Sequence, residues 1–294
     1  MLVFLAFALL VGCTAFSSSA IGKSADSPSN PSQHSQLSLS HPSGQLLGQL
    51  LGRSLKLLHW SIGSYADKSK ADWILDGLGL ITQGIVIPAL QVTVIYRLWS
   101  WIVPSWENAI HLGWGWQFSL SFVCVDYLYY WNHRGLHHPW LWNAHKVHHS
   151  VTQMDVLGTS RNTLWSSFLI VYLWVHALMI MVLAHPGGYV FGVSLTAVLD
   201  LWRHSSFSLR PDQFRYPWLY ALIAPWLILP HDHAWHHSNS VESKNFGGNF
   251  KLWDKIHGTY LQKDTYPSSI GVSLNLTTIQ KLFMPIAKPL TQKK

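Results

Sequence analysis

The sequence predicts an all-α integral membrane protein with about four transmembrane helices and a histidine-rich helical cap on the cytoplasmic face. Three observations predict it. Hydrophobic residues make up 49% of the 294-residue chain and charged residues only 11%, whereas a soluble domain carries about 25% charge. Four long apolar stretches lie at 77–96, 112–131, 164–184 and 187–202. Of 18 histidines, twelve fall at 133–149, at 204 and at 231–257.

The rest of the composition narrows the class. The 17 Trp and 11 Tyr suit a membrane–water interface. The net charge of +7 is scattered with no dense basic run, so nucleic acid is not an expected partner. Cys13 and Cys124 stand alone and give neither a disulfide framework nor a Cys-rich metal site.

Residues 1–43 read as an apolar leader followed by a Ser/Pro-rich disordered segment. It is either a targeting leader or a dispensable anchor. Residues 44–72 form an interfacial helix and linker. Leucines at 46, 47, 50, 51, 55 and 58, with Arg53 and Lys56 alongside, make one apolar stripe at helical spacing. That stripe lies on the membrane surface or packs on its own domain. The membrane domain proper is 73–262, and 263–294 is a basic C-terminal tail.

Within the domain, the first three apolar stretches reach the roughly 20 residues that cross a bilayer. The fourth is shorter and pairs with the third as a hairpin through His185-Pro186-Gly187-Gly188. The run at 217–230 is bounded by Pro217 and Pro230 and is too short to cross. The second span therefore ends at His133, the hairpin leaves that side near Asn162 and returns at His204, and His231–His257 stay on the same side. Arg134, Lys146, Arg161, Arg203, Arg210, Arg215 and the tail lysines share that face, against Arg97 and Glu107 opposite. The positive-inside rule makes the histidine face cytoplasmic.

His133 and His137 are four residues apart, which on a helix puts them on one face. His145, His148 and His149 stand at i, i+3 and i+4, and His233, His236 and His237 repeat that spacing. His204 adds a ninth imidazole. Imidazole suits zinc, copper, iron and nickel, and nine ligands are about right for two ions. Asp126, seven residues before His133, and Asp200, four before His204, could each orient an imidazole from outside the ligand shell. His111, His176 and His185 read as packing or turn residues. His185-Pro186-Gly187-Gly188 resembles a haem-ligand tetrapeptide but sits between two apolar spans, as a turn. A histidine-rich metal transporter or metal-binding membrane protein is the competing class, and a zinc hydrolase a third. Transport sites usually lie near the bilayer midplane, away from a membrane face.

At these residues the chain resembles the fatty acid hydroxylase/sterol desaturase superfamily. The first box is His133-Arg134-Gly-Leu-His137, the second His145-Lys-Val-His148-His149, and the third His233-Ala-Trp-His236-His237. Asn245-Phe246-Gly247 and Trp253-Asp254-Lys-Ile-His257-Gly258-Thr259-Tyr260 resemble the closing motif. The resemblance covers roughly 110–262. His257 stands where the family usually has Phe, and His138 and His231 are additional candidates beside the boxes. The resemblance implies two iron ions held by these histidines and O2 as co-substrate. It also implies a separate electron-transfer protein as donor, because the chain has no flavin, haem or iron–sulfur motif. The substrate it implies is a lipid C–H bond (fatty-acyl, alkyl or sterol), hydroxylated or desaturated.

Overall fold

The computed structural model describes residues 68–205, 217–239, 243–263 and 265–285. The leader and the leucine stripe at 46–58 lie outside the described residues. Those from Ser69 onward form one compact unit. It is helical, with isolated bridges and no named strand among the described residues.

Helix α1 (Lys70–Ile102) is the longest element. The Ser69 hydroxyl caps it by accepting from the Asp72 N–H at 3.1 Å, which satisfies one donor of the first turn. A π turn at Thr82–Val86 precedes Pro88. The loosened ladder tolerates a residue that has no N–H. At 33 residues the helix is about 50 Å long, more than the roughly 30 Å core of a bilayer. Most of its apolar surface is exposed, including Ile74, Ile81, Ile85, Val92 and Trp101. Water would penalise such a surface and lipid would not.

Helix α2 runs continuously through Trp114–Ser119, a π turn at Leu120–Cys124, and Val125–Leu136. Short α3 (Trp142–His145) follows, then a 3-10 turn at His148–Ser150 and another at Val156–Ser160. The third apolar stretch is not one helix. It divides into α4 (Ser166–Leu169) and α5 (Val171–Val182), because Ile170 and Leu183 are extended. The Asn132 side chain bridges the first break. It donates to the Leu169 carbonyl at 2.8 Å and accepts from the Val171 N–H at 3.1 Å. At the second break the 108–110 loop pairs with the helix end: Asn108 N–H donates to Met181 and Ile110 N–H to Val182. The 12 residues of α5 span only about 18 Å, so by itself this helix is shorter than a bilayer core. Among the described helices, α1 alone is both long and apolar enough to cross a membrane.

Helix α6 (Gly187–His204) returns along α2. Short helices α7 (Pro217–Ile223), α8 (Pro230–His236), α9 (Lys251–Ile256) and α10 (Thr278–Leu282) complete the order. The seven residues of α7 span only about 10 Å. The main core lies where Val125 of α2 meets Met181, Val182 and Leu183 at the end of α5 and Tyr189 of α6. A second cluster joins Ile95 of α1 to Leu173 and Ala177 of α5. A third joins Leu75 of α1, Val147, Leu282 and Met284. The stretch 265–285, placed by sequence in the tail, thus packs onto the domain.

Candidate metal centre

Five elements deliver the nine histidines to one end of the bundle. His133 lies on the last turn of α2 and His137 just past it. α3 and the 3-10 turn after it carry His145, His148 and His149. α6 ends on His204, and α8 carries His233 and His236 with His237 at its cap. The ligand atoms gather in two groups, each with all its members within 4.8 Å of one another. One holds His133, His137, His145, His149 and His236; the other holds His148, His204, His233 and His237.

The expected single faces therefore divide. In the second box the i+3 histidine goes to one pocket and the i and i+4 histidines to the other; the third box divides the same way. Residues i+3 and i+4 point about 100° apart around a helix, so one turn can feed two adjacent pockets.

Backbone carbonyls orient the rings. The Nδ1 of His133 meets the Phe246 carbonyl at 2.9 Å, and His236 meets Lys244 at 2.7 Å. His148 meets the Arg161 carbonyl at 3.2 Å and His204 that of Asp200 at 2.9 Å. With the proton on Nδ1, each Nε2 keeps its lone pair for the pocket.

This corrects the roles expected of the two acids. Asp126 does not reach His133, since seven residues is roughly 10 Å along the axis. Its carboxylate accepts from Asn249 N–H (2.7 Å), Phe250 N–H (3.2 Å) and Trp253 Nε1 (2.7 Å), tying the closing segment to α2. Asp200 orients His204 through its carbonyl. Its carboxylate stands 3.5 Å from the ring and pairs with Arg203 at 3.0 Å.

The donor set fits metal ions. Facing Nε2 atoms lie 3.2 Å apart for His133–His145 and for His145–His149. In the other pocket the spacings are 3.3 Å for His148–His204, 3.0 Å for His204–His233 and 3.2 Å for His233–His237. Two imidazole nitrogens bound at about 2.1 Å to one ion are separated by roughly 3.0–3.4 Å. The buried Nε2 atoms of His137 and His236 lack a hydrogen-bond partner, which is costly without a cation. Burial, reinforced by neighbouring imidazoles, holds His133, His145, His149, His233, His236 and His237 well below the usual histidine range. Burial likewise lowers His137 to about 2 and His148 to about 3. The rings are thus held in the neutral form that a metal ion requires.

Among the described residues, the other histidines stand apart from both groups. His231 bonds the Lys263 carbonyl. His257 meets the Tyr127 hydroxyl at 3.2 Å, and His138 packs on Trp140. His176 bonds the Tyr189 hydroxyl at 2.8 Å. His185 occupies the exposed turn before α6, about 25 Å along that helix from His204.

Asp254 is a residue whose role the sequence left open. It accepts from Phe246 N–H at 2.8 Å, Gly247 N–H at 2.7 Å and the Thr259 hydroxyl at 2.7 Å. Burial raises its carboxyl to about 6 against those bonds. The loop it shapes presents the Phe246 carbonyl to His133. Asn245 takes φ of 58° beside it, a left-handed conformation Asn tolerates. The only advance sign was the position of these residues in the closing motif.

Similarity to known proteins converges on the same residues. The fatty acid hydroxylase family matches residues 118–259, a range that contains all nine histidines. The human alkylglycerol monooxygenase is 29% identical over 63% of this chain and 40% of its own length. The ornithine lipid hydroxylase OlsE of Rhizobium tropici is 26% identical over 71% of this chain and 60% of its own. A methylsterol monooxygenase of Arabidopsis thaliana is 26% identical over 49% and 47%. The chain thus spans between about two fifths and three fifths of these relatives. No solved structure matches. With the histidine boxes, their convergence and these matches together, the chain belongs to the fatty acid hydroxylase/sterol desaturase superfamily.

Proposed function

We propose that the chain is a membrane-bound, O2-dependent, non-haem di-iron enzyme that hydroxylates a C–H bond of a lipid. The observation that carries it is the pair of buried, all-imidazole pockets, one of five histidines and one of four. Relatives named as alkylglycerol monooxygenase, ornithine lipid hydroxylase and methylsterol monooxygenase support hydroxylation over desaturation and a lipid as substrate. They differ in lipid class, so the lipid headgroup or ring system is left open.

Two iron ions, when bound and supplied with two electrons by a separate protein, would activate O2 for insertion of one oxygen atom, the other leaving as water. The chain's own residues do the rest. Carbonyls of Phe246, Lys244, Arg161 and Asp200 fix the ring orientation of four of the nine ligands. Burial keeps the imidazoles neutral and excludes water. An apolar groove of about 440 Å³ lies beside α3, lined by Trp140, Leu141, Ala144, Trp165, Phe168 and Leu169 among others. Ala144 and the ligand His145 are neighbours in α3, so the groove and the five-histidine pocket share that helix. A cavity of this size and lining suits an alkyl chain. The exposed apolar face of α1 supports membrane residence, and the histidine end is assigned to the cytoplasm.

Elemental analysis of the full-length protein, with oxygen uptake and lipid product measured in membranes, tests this reading. The expected result is about two iron ions per chain and a hydroxylated lipid whose new oxygen comes from labelled O2. One ion or none, or metal uptake into vesicles with no oxygen consumed, would overturn it.

A further inference from the structure

Helix α1 supplies no histidine, yet its first turns carry Asp72 and Asp76, and Asp76 is fully buried. A buried ion pair contributes little net stability, because desolvation offsets attraction. Its geometry points to another use. The buried Arg161 guanidinium grips Asp76 with Nε–Oδ1 at 2.5 Å and Nη2–Oδ2 at 3.0 Å. Nη1 lies 2.8 Å from Asp72 and donates to the Ser150 carbonyl at 3.0 Å. The carbonyl of Arg161 accepts from His148 Nδ1 at 3.2 Å. One residue thus holds the second histidine box twice, at the His148 ring and at the Ser150 backbone. Close approach reinforces the contact, since a Cβ at Gly79 of α1 would run into the Ser160 carbonyl just before Arg161.

We infer that Arg161, anchored on α1 by Asp76, is a positioning residue of the four-histidine pocket and sets His148 for metal binding. The inference rests on the metal-centre reading above. It assigns α1 a part in the chemistry that its lack of ligands conceals. His148 belongs to the four-histidine pocket and not to the other, so loosening the anchor empties one pocket selectively. A purely structural role would lower the yield of folded protein or deplete both pockets together.

The experiment is metal content per chain in purified full-length enzyme, with helix content and monodispersity measured alongside. Arg161→Lys keeps a charge, but a single ammonium cannot satisfy both oxygens of Asp76, Asp72 and the Ser150 carbonyl together. The expected content falls from about two ions to about one, as in His148→Ala. Combining Arg161→Lys with His148→Ala removes nothing further, whereas combining it with His137→Ala leaves about none, as expected if the two lesions empty different pockets. Asp76→Asn shifts content the same way. A folded Arg161→Lys variant with two ions, or with none, overturns the assignment. So does failure of both Arg161→Lys and Asp76→Asn to fold under conditions where His148→Ala folds. Wild-type enzyme holding fewer than two ions defeats the metal-centre reading itself, and the assignment with it.

Discussion

Burial sets the protonation state of the imidazoles before any ion binds, and the second nitrogen of each ring decides where its lone pair points. His204 shows both effects. Its Nδ1 is engaged by the Asp200 carbonyl at 2.9 Å, and its Nε2 lies 3.0 Å from His233 and 3.3 Å from His148. Loss of an outer partner of a metal ligand costs about 10–100-fold, so His204→Ala is expected to cost at least about 100-fold in lipid oxidation. His185 is exposed and remote from both pockets, and exposed substitutions usually stay within about 0.5 kcal/mol. His185→Ala is expected to keep most of the activity. Product formation by each variant, normalised to folded protein, checks the pair; full activity of the His204 variant would remove it from the site. The nine histidines that gather in the two groups were all named from box spacing and from the return of the hairpin. Their division into five and four was not, because spacing alone does not say that i+3 and i+4 feed different pockets. Arg161 was legible only as a charge, since its partner Asp76 lies 85 positions away.

At the scale of elements, the contact of α6 with α2 decides whether His204 reaches the pocket at all. Gly188 and Gly192 recur four residues apart, the small-xxx-small spacing that lets helices approach closely. A Cβ at Gly188 would meet the Trp114 carbonyl, and one at Gly192 the Ser121 hydroxyl. The Gly188 N–H also donates to Gln117 Oε1 at 3.1 Å. Gly192→Val is therefore expected to destabilise the bundle by about 1–3 kcal/mol, the usual cost of overpacking. The thermal midpoint in detergent measures this, and an unchanged midpoint would mean the helices separate without penalty. In sequence the glycine at 188 read as part of a turn, because a helix neighbour is invisible in one dimension. The apolar stretches marked where helices run, but hydropathy did not reveal the break at Ile170. That break depends on an amide of α2, Asn132, bonding both sides of it.

The unit from Ser69 onward has two ends, and its long helices run between them. The first turns of α1 meet Arg161 and Val147 at the histidine end. The far end gathers the close of α1, the 104–113 loop and the turn before α6, joined by the Asn108–Met181 and Ile110–Val182 bonds. Residues 274–284 pack back against Leu75, so the chain after Pro285 starts from the histidine end. Of the basic residues that sequence reading assigned to this end, Arg161 and Arg203 are consumed in ion pairs with Asp76 and Asp200 and say little about orientation. Lys68, Lys70, Arg134 and Lys146 remain near it, against Arg97 and Glu107 at the other. Lys and Arg near span ends set orientation, and acids contribute little, and this balance is the basis of the proposed cytoplasmic histidine end. A reporter fused after Lys294 is expected to be active only on the cytoplasmic side. An accessible tag inserted after Glu107 is expected on the opposite side. Both tags on one side would contradict the two-ended bundle as a membrane-crossing body, whereas exchanged sides would reverse its orientation and leave the metal pockets intact.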